Sequence, residues 1–432
     1  MEFESHDSQV SLSMSRKVLG VSVLVAGALI AVFVSVVGVA LAASQVSAPL
    51  LIFVCGLAAS AVSAWLLSYG AAKLFRRSRP ASFAGKAAIV MTAVIGATTL
   101  WLLSPGDVER SIPMSDTNAV EFWDLDTGSR VAVRQVASKD TTSFPSIIFL
   151  HGGPGAYSVS LEPLVATLSN LADDGYSVYF YDQVGGGLSA RLSDVTEYTF
   201  DRHLSDLDAI IRRIDNGPVI LIGSSFGASL AANYMARYPD NVVAAVMSGS
   251  APMFFPHYAE TGDGKIDDVL NTAQRAKMRD IVETPQVFVA LGLTAINPNA
   301  AARFAPDSEL GALFDRVANE VYLPAIICAG NKVAFYSNGI GFWSNRMTGR
   351  TLKDQVYDPR PELSNNTSPV LVIRGDCDYK KIEVASEYVE VFPDARLITM
   401  PKAGHMPFLE QPTNYLKHVR DFLEASHAQS AF

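Results

Sequence analysis

Residues 219–227 read Val219-Ile220-Leu221-Ile222-Gly223-Ser224-Ser225-Phe226-Gly227. Four consecutive apolar residues suit a strand buried on both faces, as in a parallel sheet. A G-x-S-x-G turn follows at once, and a helical pattern then runs from Ser229 to Arg237. A turn between strand and helix must be sharp to lift the Ser225 hydroxyl clear of the sheet. Glycines two residues to either side let backbone approach where a Cβ would clash. Ser225 is therefore the candidate nucleophile. Ser224, the neighbouring hydroxyl, occupies the wrong position in the turn.

Outward from this stretch, short β-rich runs continue the pattern: Val120–Leu125, Val131–Val136, Ile147–Leu150, Val178–Tyr181, Val242–Met247, Val370–Ile373 and Leu397–Met400. Helical periodicity fills Leu161–Leu171, Phe200–Ile214, Ile382–Val391 and Tyr415–Ala425. Strands alternating with helices imply right-handed crossovers and a mostly parallel sheet covered on both faces. The first two strands lack a helix between them and are expected to form an antiparallel edge hairpin. From Pro252 to about Asn366 no strand is evident, only helical patches such as Ile266–Val282 and Leu310–Val321. Such an insertion predicts a helical cap above the carboxyl ends of the strands, where open α/β sheets bind ligands. The expected division is a 105–118 linker, a core of 119–252 and 367–432, and a cap over 253–366.

A serine hydroxyl needs a base to take its proton, and the base needs an orienting acid. Late strands are followed by Arg374-Gly375-Asp376-Cys377-Asp378 and by Ala403-Gly404-His405. Asp378 and His405 are the expected acid and base, with Asp376 as the competing acid. His257, His418 and His427 read as surface or core residues. A tetrahedral intermediate also needs preorganised N–H donors. Phe226 supplies one, and His151-Gly152-Gly153-Pro154-Gly155 after the third strand supplies the other from Gly153, or alternatively Gly152. His151 itself reads as structural.

The chain has 432 residues and is 49% hydrophobic. The excess lies before residue 105, in runs at about 18–42, 50–75 and 87–103. Each approaches the roughly 20 residues a helix needs to cross a bilayer, so three transmembrane helices are expected in residues 1–104. Arg16 and Lys17 precede the first run, none of Ala43–Pro49 is basic, and Lys73, Arg76, Arg77, Arg79 and Lys86 flank the second connection. Positive loops stay inside. The N-terminus is thus expected in the cytoplasm and the catalytic domain outside it, in the setting of a bacterial cytoplasmic membrane.

Residues 1–104 hold seven Lys and Arg against three Asp and Glu, a net of +4, which leaves −13 of the whole-chain −9 for residues 105–432. An acidic body excludes a nucleic-acid footprint. Of three cysteines, Cys55 lies in a span, and whether Cys328 and Cys377 pair is left open. No metal-ligand spacing and no cofactor motif is present, so no metal and no cofactor are expected. The partners implied are the lipid bilayer and a small-molecule or short-peptide substrate.

His151–Gly155, Asp182-Gln183-Val184-Gly185-Gly186-Gly187-Leu188-Ser189, Gly223–Gly227 and Arg237-Tyr238-Pro239-Asp240 together resemble the proline iminopeptidase branch of the α/β-hydrolases. The resemblance runs from about residue 119 to 425, is weakest in the cap, and does not include the three spans. It implies a Ser225–His405–Asp378 triad, an acyl-enzyme, and release of an N-terminal residue, often proline, from short peptides. Relatives in that branch bind the substrate's α-amine with cap glutamates. This chain lacks the Trp-Glu pair that marks one of them, and Glu320, in Asn319-Glu320-Val321-Tyr322-Leu323, stands one position off the spacing of the other. The alternatives are an esterase, lactonase or acyl-amidase, and a non-catalytic binding protein on a hydrolase scaffold.

Overall fold

The structure is a computed structural model and describes residues 13–104, 119–139, 144–214, 217–333 and 337–430. The expected linker at 105–118 lies outside the described residues. The chain divides into two compact units.

The first unit holds α1 (Met14–Ala43), α2 (Pro49–Leu74) and α3 (Pro80–Leu102). Even the 23-residue α3 extends about 35 Å, enough to cross a hydrocarbon core. α3 begins seven residues before the apolar run at 87. Pro80 opens it at a position where a helix tolerates a missing N–H, and Lys86 rides on its first turns. Large apolar side chains such as Leu29, Phe33, Leu66 and Ile89 point outward, while small residues fill the contacts. On α2, Gly56, Ser60, Ala64 and Ser68 recur every four residues on the buried side. A Cβ at Gly56 would fall 2.6 Å from Val39 Cγ2. Close approach of small residues is how helices associate where no water drives them together. All three are long and apolar enough to span a membrane.

The second unit carries an eight-stranded sheet. Its strands are β1 (Glu121–Asp124), β2 (Arg130–Val136), β3 (Ile147–Leu150), β4 (Val178–Tyr181), β5 (Val219–Ser224), β6 (Val242–Ser248), β7 (Val370–Gly375) and β8 (Ala395–Met400), in the order β1-β2-β4-β3-β5-β6-β7-β8. β1 and β2 form the expected antiparallel hairpin, β2 is antiparallel to β4, and every other pairing is parallel. β5 alternates across the sheet as strand geometry requires. Val219 and Leu221 join one apolar core, whereas Ile220 and Ile222 join the other.

Each face is covered by helices. α5 (Phe200–Ile214), α6 (Phe226–Arg237), α14 (Arg360–Leu363) and α15 (Ile382–Val391) cover the first core, and α4 (Glu162–Leu168), α16 (Pro407–Glu410) and α17 (Pro412–Ser430) the second. Between β6 and β7 no strand occurs among the described residues. This interval holds α7 (Ile266–Val269), α8 (Thr272–Val282), α9 (Pro285–Ile296), α10 (Pro298–Phe304), α11 (Asp307–Val317), a π-helical turn at Ala318–Tyr322, α12 (Leu323–Ile326) and α13 (Phe342–Lys353). It is not a single body. Residues 284–306, with α9 and α10, group with α1–α3, while the remainder packs in the second unit.

Candidate active site

Ser225 sits where β5 meets α6, with φ 52° and ψ −116°. A non-glycine residue held there costs on the order of 1–3 kcal/mol, so the surroundings must fix it. The Ser225 N–H donates to Ser248 O at 2.9 Å, and Ala251 N–H donates back to Ser225 O at 3.2 Å. The flanking glycines are dictated by contact. A Cβ at Gly223 would lie 2.5 Å from Gly227 O, and one at Gly227 would collide with Leu150 O. Ser225 is partly exposed, whereas Ser224 is buried.

The loops after β7 and β8 bring Asp378 and His405 together. Asp378 Oδ1 lies 2.8 Å from His405 Nδ1 and accepts the Lys380 N–H at 3.0 Å. Burial works against the charged carboxylate, but the His405 ring's charge and hydrogen bond, the Lys380 N–H and Arg374 together hold Asp378 below the usual carboxylate range. Asp376 is exposed and is not the His405 partner. The turn after β6 links this pair to the serine. A Cβ at Gly249 would lie 2.5 Å from His405 O and 3.1 Å from His405 Nδ1. Among the described residues Ser225 Oγ and His405 are not hydrogen-bonded. Such contacts are commonly loose without substrate and tighten when it binds.

The glycine loop reaches the serine from β3. A Cβ at Gly152 would be 3.1 Å from Ser225 Cβ and 3.7 Å from Ser225 Oγ. Gly153 follows with φ 115°. Neither the Gly153 nor the Phe226 N–H is engaged by an acceptor among the described residues. His151 is structural here: Nε2 accepts the Gln183 N–H at 2.8 Å, so Nδ1 carries the proton toward Gly152 O, also at 2.8 Å. Burial pulls its pKa down to about 4, and the ring stays neutral.

Two organising residues carried no signal in the sequence beyond their motif or neighbours. Asp182 is buried, and its carboxylate accepts N–H groups from Ser158 (2.7 Å), Val159 (2.9 Å) and Leu188 (2.9 Å). Burial still pushes its pKa up to about 6 against these bonds. The Asp182–Ser189 stretch therefore acts as scaffold for the loops beside it. Glu410 accepts Gly404 N–H on Oε1 at 2.8 Å, and Cys328 N–H (2.9 Å) and Asn331 Nδ2 (2.8 Å) on Oε2. His405 N–H donates to Ile326 O at 3.0 Å, and a disulfide joins Cys328 to Cys377. The Cys328 segment thus ties the His405 loop to the Asp378 loop.

Glu320, whose sequence position leaves open both a substrate ammonium and a solvated helix face, lies within the insertion between β6 and β7. In the π-helical turn its carboxylate pairs with Lys277 Nζ at 2.7 Å and Arg316 Nε at 3.2 Å. The Lys277 hydrogen bond, with help from Arg316, holds it below the usual carboxylate range. Arg316 lies at i,i+4 spacing from Glu320, whereas Lys277 is brought to it from α8 by the fold.

The alpha/beta hydrolase fold family matches residues 145–412. Proline iminopeptidase of Heyndrickxia coagulans is 26% identical over 302 residues, covering 69% of this chain and 96% of that protein. The 2-(acetamidomethylene)succinate hydrolase of Mesorhizobium japonicum is 27% identical over 289 residues, covering 66% and 91%. A crystal structure of proline iminopeptidase from Mycobacterium smegmatis superposes with a TM-score of 0.47 at 21% identity, covering 72% of this chain and all of that one, 100%. With its parallel sheet, strand-to-helix serine turn and more than half of its length matched, the chain belongs to the α/β-hydrolase fold family and is proline iminopeptidase-like within it.

Proposed function

We propose that the protein is a membrane-anchored serine hydrolase that cleaves an amide or peptide bond through an acyl-enzyme, releasing N-terminal residues, proline foremost, from short peptides. The observation that carries this reading is the buried Asp378–His405 pair beside a strained, partly exposed Ser225. His405 Nε2 takes the Ser225 proton as Oγ bonds to the substrate carbonyl carbon. The carbonyl oxygen becomes an oxyanion facing the Phe226 and Gly153 N–H groups. Collapse breaks the C–N bond, and the leaving amine takes the proton from His405. Water, deprotonated by His405, then attacks the acyl ester, and the released Ser225 oxygen recovers the proton. Asp378 orients the ring through Nδ1 and stabilises the imidazolium without being protonated.

The peptidase reading draws on the proline iminopeptidases among the relatives. One observation favours a second reading, hydrolysis of an ester, lactone or acyl amide: Glu320 is already paired with two cations. The orientation we infer places the N-terminus in the cytoplasm and the hydrolase outside. The Lys and Arg distribution supports it, as does the Cys328–Cys377 disulfide, a bond that persists in oxidising compartments.

A fluorophosphonate probe should label the folded full-length protein, and Ser225→Ala should abolish labelling and lower kcat by roughly 10³–10⁶-fold. Absence of labelling in folded protein would leave only the binding-protein reading. Comparing a proline arylamide with short acyl esters separates the two hydrolase readings; esters cleaved with the arylamide untouched would reject the peptidase.

A further inference from the structure

A helix on a water-soluble domain turns its apolar stripe inward and its charges outward. α9 carries no charge and exposes apolar residues. Its buried positions are Gln286, Ala290, Leu293 and Thr294, while Phe288, Gly292, Ala295 and Ile296 face outward along one stripe at helical spacing. Phe288 is 62% and Ile296 43% exposed. Residues 284–306 hold a single charged side chain, Arg303.

This hairpin is seated on the connection between two candidate spans. Asn297, between α9 and α10, donates from Nδ2 to Ala43 O at 2.9 Å, to Val46 O at 3.4 Å and to Ser47 Oγ at 3.2 Å. Its Oδ1 meanwhile caps α10 by accepting the Ala300 N–H at 3.1 Å. α9 packs against α1 and α10 against α2. Ala43 ends α1 and Pro49 begins α2, so the contact lies at a helix end, where a span leaves the hydrocarbon. It is also the connection without a basic residue, the one expected outside. The hairpin is contributed by the hydrolase chain, which follows α3 and is expected on that same side.

We infer that the α9–α10 hairpin is a membrane-interface element whose outward stripe, Phe288, Gly292, Ala295 and Ile296, is covered by the outer leaflet of a phospholipid bilayer. An uncharged apolar face fixed to the mouth of two spans meets the boundary of headgroups and acyl chains, where interfacial helices bury their apolar side about 5–10 Å deep. The hydrolase chain is thus held to lipid at a second place, between Glu283 and Asp307, in addition to α1–α3. The inference rests on the reading that α1–α3 cross the bilayer.

The test uses full-length protein bearing Cys55→Ser, in vesicles of phosphatidylcholine and phosphatidylglycerol. Nitroxide labels are placed singly on Phe288→Cys and Ile296→Cys. Val32→Cys in α1 and Val356→Cys, an exposed position of the second unit, serve as references. Fluorophosphonate labelling certifies that each variant is folded. The labels at 288 and 296 should show a ratio of oxygen to nickel-chelate accessibility several-fold above that at 356, approaching that at 32. Aqueous behaviour at 288 and 296 with a lipid-exposed label at 32 would overturn the inference, as would labels shielded from both relaxants. An aqueous label at 32 would instead reject the spans themselves.

Discussion

Around Ser225 glycine backbone packs closely on backbone, whereas the insertion of residues 253–366 mixes such contacts, at Gly264, Gly311 and Gly341, with glycines that have open space beside them. Gly223, Gly227, Gly249 and Gly404 each stand where an added Cβ would run into a carbonyl oxygen of a neighbouring segment, Ile326 of the insertion in the case of Gly404. In the insertion, Gly292 and Gly349 have nothing within 4 Å of an added Cβ. Polar ties there include surface pairs, such as Glu320 with Lys277 and Arg316, beside the buried Asp315, which accepts from Ser337 Oγ and the Gly339 and Ile340 N–H groups. One residue type satisfies a backbone contact, but many satisfy a side-chain contact. A reaction class can therefore be written in a short motif while specificity is not.

The sharpest way to break this comparison is a pair of glycine substitutions. In Gly227→Ala the new methyl meets Leu150 O, which cannot swing aside as a side chain can. We expect a loss of about 3 kcal/mol or more, at the upper end of overpacking costs. Gly349→Ala lies inside α13 with free space and should gain up to about 1 kcal/mol from helix propensity. Urea midpoints of the hydrolase unit in the full-length, detergent-solubilised protein measure both. Equal shifts would mean that the two regions are not built differently.

The same contrast explains what was legible in the sequence. Strands β3, β4 and β5 are unbroken apolar runs because helices cover both sheet faces, and α5 and α15 keep the bounds their periodicity predicts. Apolar runs mark what a membrane would cover rather than where a helix starts, so the first turns of α3, over 80–86, lie outside the apolar run. Asp182 lay within a quoted motif, but its role depends on N–H groups of Ser158 and Val159, more than twenty positions away. Glu410 reads as the end of a short helix until Gly404 and Cys328 are brought to it. Residues 284–306 look like any cap helix in sequence, and only the contact of Asn297 with the α1–α2 connection separates them.

His203 joins the two regions, its Nε2 lying 3.0 Å from Thr348 Oγ1 of α13. Burial pulls its pKa from 6.5 down to about 3, helped by His151 and Arg202. The unfolded chain therefore binds the proton and the folded one does not. Stability is fully present above about pH 6.5 and is lost as pH falls toward 3, at about 1.4 kcal/mol per unit. His151 acts in the same sense down to about pH 4. Asp182, whose pKa is raised to about 6, acts oppositely: its contribution is present below 3.8 and lost as pH rises through 6. Asp206, Asp307 and Asp315, raised by burial as well, act in the sense of Asp182, so His203 is isolated by comparing a variant with the unaltered chain. His203→Gln, which keeps a donor for Thr348, should make the slope of stability against pH, from urea midpoints between pH 4 and 6, less positive than that of the unaltered chain by about 1.4 kcal/mol per unit. An unchanged slope would show that His203 titrates normally in the folded protein.

Glu320 should give the smallest effect, and it bears on the substrate. Its pairs with Lys277 and Arg316 are largely solvent-exposed, and such pairs contribute roughly 0–1 kcal/mol. Glu320→Gln should therefore change stability by less than about 1 kcal/mol. If the carboxylate is spent on those two cations, kcat/KM for a proline arylamide and for an acyl ester should both stay within about twofold, since uniform losses reflect packing alone. If it instead turns to a substrate ammonium, KM for the arylamide should rise tenfold or more while the ester, which has no amine, is unaffected; tenfold corresponds to about 1.4 kcal/mol, the scale of one charge-assisted hydrogen bond. The ratio of the two substrates thus decides whether the insertion reads an amine through Glu320.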